Sequence, residues 1–275
     1  KLIPQFAAEK LARFDVNNMA LGVSIFFVGM FKKVFIADSL IPWVAAAFDT
    51  PTGEALGLWD AWIGTYAYSF QLYFDFSGYS DMAIGAALLF NIRLPVNFNS
   101  PYKAASIREI WRHWHITLSD FVMRYVYGSL GSNKKGAARQ YVNLFIAFLV
   151  TGIWHGAGWT FVVFGCMHGS AVLLHQAFKD LGGGMPRWLG VLLTYNFWTL
   201  ALVVFRSPDM AHATHVYSTM FGGGGWIILA LGTQRSLGLF HGSYCPLAVI
   251  PPLGADECRP GIYLLPVLGG TDVEQ

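Results

Sequence analysis

The feature that most constrains this chain is a succession of apolar stretches with almost no charge inside them: residues 19–31, 55–74, 82–92, 141–154, 157–176 and 189–205. A bilayer core offers no water to backbone N–H and C=O groups, so a chain that crosses it must satisfy them internally, which helices do. Charged residues make up 12% of the 275, against about 25% in a soluble domain. A large soluble core could be as apolar, but it would still need a charged shell. Aromatic residues reach 16%, with ten Trp and 22 Phe, and Trp and Tyr gather where a bilayer meets water. The expected fold is therefore all-α, a multi-pass transmembrane helical bundle.

The net charge of +2 is too small to argue for nucleic acid, but its distribution is uneven. Residues 93–139 carry eight basic side chains and two acids, Glu109 and Asp120; the rest carries ten basic and fourteen acidic residues. By the positive-inside rule the basic segment lies on the cytoplasmic side. The three cysteines, Cys166, Cys245 and Cys258, have no CxxC spacing, which signals neither a zinc site nor a disulfide framework. The chain starts at Lys1 without a signal peptide and reads as an internal stretch of a longer protein.

Along the chain, Lys32 and Lys33 interrupt the first apolar run and mark the cytoplasmic end of a span. The run 55–74 leads into Asp75-Phe76-Ser77-Gly78-Tyr79-Ser80-Asp81, whose two acids are costly at a membrane junction unless paired or facing a cavity. Residues 106–127 read as one amphipathic helix, interfacial or re-entrant, with Trp111, Trp114, Leu118 and Val122 on an apolar face. Arg108, Arg112 and Ser119 form a polar strip at its edge. On that helix His115 borders the apolar face, whereas His113 falls on the polar side with Glu109, Asp120 and Arg124. Residues 132–139 are a basic loop, and His212 and His215 sit in a polar loop. The short run 226–232 follows four glycines. From Arg235 the Pro- and Gly-rich tail shows no regular element, so the chain divides into 1–232 and an unassigned tail, 233–275.

The sharpest chemical signal is Trp154-His155-Gly156-Ala157-Gly158-Trp159. An imidazole within an apolar membrane stretch is a functional-site candidate. Neutral His can take a proton from a hydroxyl near pH 7, as acyl transfer to an alcohol requires. The bland alternative is a His that glues neighbouring helices. His168 lies thirteen residues on. On one unbroken helix the two imidazoles would point about 220° apart, separated by about 20 Å along the axis. Either the glycines break the helix or only one His is catalytic, and His155 is the favoured one. No Gly-x-Ser-x-Gly elbow, Walker loop or HExxH spacing is present, so no metal is expected.

Taken together, five segments resemble the membrane-bound O-acyltransferase family, in its bacterial alginate O-acetylation branch. They are Gly29–Asp38, Tyr73–Asp81, Asn97-Phe98-Asn99-Ser100-Pro101-Tyr102, Trp111–Ser119 and Trp154-His155-Gly156-Ala157. The resemblance, which runs from about Leu2 to about Gly232, implies that further spans precede Lys1. It also implies that His155 is the essential catalytic residue and His115 the second invariant one, with Trp154, Arg112, Ser119, Asp75 and His168 as tunnel-lining or supporting residues. It implies no tightly bound cofactor. The donor would be acetyl-CoA or another acyl thioester, delivered from the cytoplasm through the bacterial inner membrane. Extracytoplasmic acyltransferase partners would complete transfer to an exported polysaccharide. His113 stands where the family usually has Arg, and the tail beyond Arg235 departs from the family's closing helices. A competing class is a non-enzymatic subunit of a polysaccharide export or transport complex, whose membrane histidines would couple protons.

Overall fold

The computed structural model describes residues 3–6, 11, 13–134 and 136–222. The run 226–232, the boundary at 232 and the tail lie outside the described residues. The elements are α1 (Ile3–Phe6), α2 (Val16–Phe31), α3 (Ile41–Phe48), α4 (Leu58–Leu88), α5 (Ile107–His113), α6 (Ile116–Phe121), α7 (Ala137–His155), α8 (Trp159–Asp180), α9 (Arg187–Arg206) and α10 (Met210–Met220). Among the described residues the regular elements are all helical, in agreement with the all-α expectation. Among the described residues, three helical runs are long and apolar enough to cross a bilayer: Val16–Phe48, Trp159–Asp180 and Arg187–Arg206.

The first of these runs corrects the span expected to end at Lys32. The helix continues from α2 through a π-helical turn, Lys32–Ala37, and a 3-10 turn, Asp38–Leu40, into α3. Both lysines thus lie in the middle of a run rather than at its end. Their charges are matched chiefly by the neighbouring α4: Lys32 Nζ bonds Asp81 at 2.5 Å and Lys33 Nζ bonds Asp75 at 2.6 Å, while Asp38 of the 3-10 turn lies 2.8 Å from Lys33 Nζ. A charged side chain is tolerated at membrane depth when it is paired in this way.

The acidic segment 75–81 is likewise not a junction between spans. It lies inside α4, a single helix of 31 residues, about 46 Å long at 1.5 Å per residue. Helices α2 and α4 run antiparallel and almost touch, through glycines spaced seven residues apart on each. A Cβ on Gly22 would sit 2.6 Å from the Gly85 carbonyl oxygen, and one on Gly29 would sit 2.5 Å from that of Gly78. Small residues permit such backbone approach where water supplies no driving force between helices. Helices α7 and α8 form a second antiparallel pair of the same kind, with Gly152 against Gly165.

Residues 107–127 depart furthest from the continuous helix expected there. α5 ends at His113, Trp114 is extended, and His115 takes a left-handed conformation (φ 44°, ψ 56°) before α6 begins. A π-helical turn, Val122–Tyr127, follows. The segment is a helical hairpin with His115 at its tip. On the way in, Arg108 bonds Gln176 and Trp111 meets His168, then His115 meets Trp154. On the way out, Leu118 and Val122 pack on Ala147, and the carbonyls of Leu130 and Ser132 accept hydrogen bonds from Asn143.

Candidate functional site

The hairpin tip is held open by the Asn97–Asn99 segment. Asn97 accepts hydrogen bonds from the Thr117 hydroxyl (2.7 Å) and N–H (3.2 Å), and its carbonyl accepts from Ile116 N–H. Asn99 N–H donates to the His113 carbonyl at 3.0 Å, while His113 Nδ1 donates back to the Asn99 carbonyl at 2.6 Å. These bonds replace the helical ones lost around residues 114–115. His113 is therefore part of the clamp, not a solvated neighbour of Glu109 and Asp120. A non-glycine residue in the left-handed region is uncommon and costs energy that surrounding structure must supply.

The clamp presents His115 to an aromatic wall. Its ring lies 4.9 Å, edge to face, from Phe76 of α4 and 6.4 Å from Trp154 of α7. Trp154 in turn lies 5.0 Å from His155, the last residue of α7. Helix α7 stops there because Gly156 is fully extended, and Gly158 caps α8. A side chain at Gly156 would collide with the Phe161 ring. The glycine break resolves the choice posed by the spacing of His155 and His168. Both rings flank Phe164, at 6.2 and 4.4 Å.

The three imidazoles are not equivalent. His168 is 1% exposed and enclosed by Phe164, Phe197, Trp111 and Trp198. Its Nδ1 accepts from Trp111 Nε1–H at 3.3 Å, which puts the proton of the neutral ring on Nε2. His168 thus orients Trp111. His155 is half-buried between Trp154 and Phe205, at 5.0 and 5.2 Å, and has no hydrogen-bond partner among the described residues. His115 Nδ1 and His168 Nε2 are buried without partners there as well. Such atoms each call for an explanation, and Ser77 Oγ on α4 and His212 Nε2 and His215 Nε2 on α10 share the condition.

A cavity of about 310 Å³ opens between the hairpin and helices α7 and α8. Arg108, Arg112, Ser119 and Asp120 supply its polar lining, and Trp111, Phe148 and Thr151 line its apolar part. The polar strip read from sequence does line a cavity. Thr151 sits one helical turn before His155, and Trp111 also carries the contact to His168. Asp75, by contrast, is engaged by Lys33, and its neighbour Phe76 is the residue that touches His115. Sequence reasoning also passed over Phe98, Phe148, Thr151, Phe164 and Phe205. Phe76 and Phe98 lie inside two of the motifs quoted above, which was the available signal. His212 and His215 are on helix α10, not in a loop; burial holds His212 below the usual imidazole range.

The profile described as "MBOAT, membrane-bound O-acyltransferase family" matches residues 4–206. The chain belongs to the membrane-bound O-acyltransferase family. It is 45% identical over 240 residues to the peptidoglycan O-acetyltransferase of Helicobacter pylori, covering 86% of this chain and 45% of that protein. It is 41% identical over 234 residues to the probable alginate O-acetylase AlgI of Pseudomonas aeruginosa, covering 83% and 44%. A teichoic acid D-alanyltransferase of Bacillus subtilis is 29% identical over 162 residues, covering 54% and 41%. The chain spans a little under half the length of these curated relatives. The expected alginate-branch resemblance stands, with the peptidoglycan enzyme alongside it.

Proposed function

We propose that this chain carries the acyl-transfer centre of an O-acyltransferase that moves an acetyl group from a cytoplasmic thioester, acetyl-CoA or another acyl thioester, across the bacterial inner membrane for esterification of an envelope polysaccharide. The observation that carries this reading is the convergence of His115 and His155 on one Trp154 ring, with His115 Nδ1 buried and neither imidazole hydrogen-bonded among the described residues. They are forty residues apart in sequence. An imidazole nitrogen that no protein group holds is free to exchange a proton with a substrate hydroxyl.

In this mechanism the acceptor hydroxyl gives its proton to His155, and its oxygen attacks the thioester carbonyl. The carbon–sulfur bond breaks, and the thiolate takes up a proton to leave as a thiol. His115 polarises the carbonyl or positions the acceptor, and Trp154 excludes water between the two. The Arg112 and Ser119 side of the cavity receives the donor, and His168 holds Trp111 against it. Polysaccharide and extracytoplasmic acyltransferase partners lie beyond the outer face. The acceptor belongs to the class named for the relatives: peptidoglycan, alginate or teichoic acid. The acyltransferase domain extends over 1–232, with 233–275 outside it.

The test is His155→Ala in the full-length protein, assayed for acetyl esters on the exported polymer. Loss of a general base lowers the rate by about 10² to 10⁴, with membrane level and polymer yield unchanged. Normal ester content would remove His155 from the mechanism. A fall in polymer yield with normal ester content per polymer would favour the export-subunit class.

A further inference from the structure

Helix α6 differs from α2, α5 and α10 in how its first N–H groups are satisfied. Those three helices follow Asp15, Ser106 and Asp209, whose side chains accept from backbone N–H groups two or three positions on. This is the usual arrangement, because the first turn of a helix has N–H groups with no partner inside it. The residue in that position before α6 is His115, and its side chain caps nothing. Asn97 supplies the cap from outside the helix. Its carbonyl accepts from Ile116 N–H at 3.0 Å, and its Oδ1 accepts from Thr117 N–H at 3.2 Å and from the Thr117 hydroxyl at 2.7 Å.

The residues beside Asn97 fix it in that place. Asn99 N–H donates to the His113 carbonyl at the end of α5. Phe98, between the two asparagines, lies 5.0 Å from both Phe76 of α4 and Trp114. Residues 97–99 thus serve the end of one helix and the start of the next, and they lean on the Phe76 ring that also meets His115. Thr117 is the second residue of α6, and its N–H is one that an N-cap side chain ordinarily takes. With Asn97 on that N–H, the His115 imidazole faces Phe76 and Trp154, and its Nδ1 is buried with no partner among the described residues. One nitrogen of a neutral imidazole is an acceptor. A Thr117 N–H stripped of Asn97 would compete for it, because a buried donor without a partner is costly.

Resting on the acyl-transfer reading above, we propose that Asn97 is a positioning residue: by capping α6 in place of His115, it keeps the His115 imidazole out of its own helix and available to the reacting groups. Asn97 makes and breaks no bond in the reaction. Without its amide oxygen, a fraction of the molecules turn the imidazole back onto Thr117 N–H. Those molecules are folded and inactive.

The experiment measures acetyl esters formed per folded molecule of the full-length protein, beside its membrane level and unfolding temperature. Asn97→Ala is expected to lower activity about five- to thirtyfold, the range of a helix cap expressed as an equilibrium constant. Asn97→Asp keeps an acceptor at a helix start, where negative charge is favoured, and should stay within about threefold of wild type. Thr117→Val removes the hydroxyl bond but leaves the N–H on Asn97, and should cost less than about twofold. The last variant combines Asn97→Ala with His115→Gly, since glycine takes the left-handed conformation freely. With no imidazole to divert, the pair should lose no more than His115→Gly alone, whereas independent losses would multiply. Multiplied losses, full activity of Asn97→Ala, or no recovery in Asn97→Asp would overturn the proposal and leave the acyl-transfer reading intact. Should Asn97→Ala not accumulate in the membrane, Asn97→Gln, whose amide oxygen is displaced by one methylene, takes its place in the same comparison with the same outcomes. Full activity of His115→Gly would instead remove His115 from acyl transfer, and this proposal with it.

Discussion

Two regions of this protein place polar side chains among apolar helices, and they do so in opposite ways. Between α2 and α4, each lysine is answered: Lys32 by Asp81, and Lys33 by Asp75 and Asp38. Along the hairpin, the imidazoles of His115 and His168 keep buried nitrogens without partners among the described residues. Glycine-mediated contact brings the first region together, and strained backbone at His115 builds the second. The difference separates scaffold from site. Charges that neutralise one another lower the cost of holding two helices side by side. Polar groups kept waiting cost stability, and a fold retains them where they meet something else.

The largest effect that could break this contrast is expected at His115. Glycine accepts φ 44° without penalty, so His115→Gly preserves the hairpin and removes only the imidazole. Acetyl-ester formation should fall about 10²-fold or more, the scale of a lost proton-transfer or polarising group, at wild-type membrane level. Retained activity would assign His115 to the backbone alone.

The ion-pair region should answer differently. Asp81→Ala leaves Lys32 without its partner, with a stability loss of about 1–3 kcal/mol, between the exposed and fully buried limits for ion pairs. Thermal unfolding in detergent should report it, and the swap Lys32→Asp with Asp81→Lys should recover most of it. If Asp81→Ala instead abolished turnover without lowering the unfolding temperature, the pair would belong to the site.

The smallest effect sharpens the boundary between the two regions. His113 works through one hydrogen bond to the Asn99 carbonyl. His113→Ala should lower activity only severalfold, the scale of one such bond. His113→Arg, which keeps a donor, should be nearly silent. A loss as deep as that of His115→Gly would make the clamp as important as the imidazole it holds.

What was legible in sequence follows from what each signal depends on. Apolar runs reveal helices because burial in lipid is a property of the run itself, and His155 stood out because its neighbours are all apolar or glycine. The break at Trp114–His115 was invisible to periodicity: residues 106–127 hold neither Gly nor Pro, and the hydrogen bonds that pay for the break come from Asn97 and Asn99, fourteen or more residues away. Angles computed for one continuous helix therefore put His113 and His115 in the wrong surroundings. Lys32 and Lys33 misled in a related way. A lysine pair reads as a helix end until the carboxylates of Asp75 and Asp81, more than forty residues later, are seen across the α2–α4 contact. Both misreadings came from long-range pairing, which no local window contains.

The central claim is that the unsatisfied imidazoles work while the satisfied ion pairs hold, and one paired measurement tests it most directly. His155→Ala and Asp81→Ala are made in the full-length protein, and for each the acetyl esters formed per folded molecule are measured beside the unfolding temperature. The account predicts that His155→Ala loses about 10² to 10⁴ in activity at an unchanged unfolding temperature, and that Asp81→Ala unfolds earlier yet keeps most of its activity per folded molecule. An inert Asp81→Ala beside an active His155→Ala would contradict it.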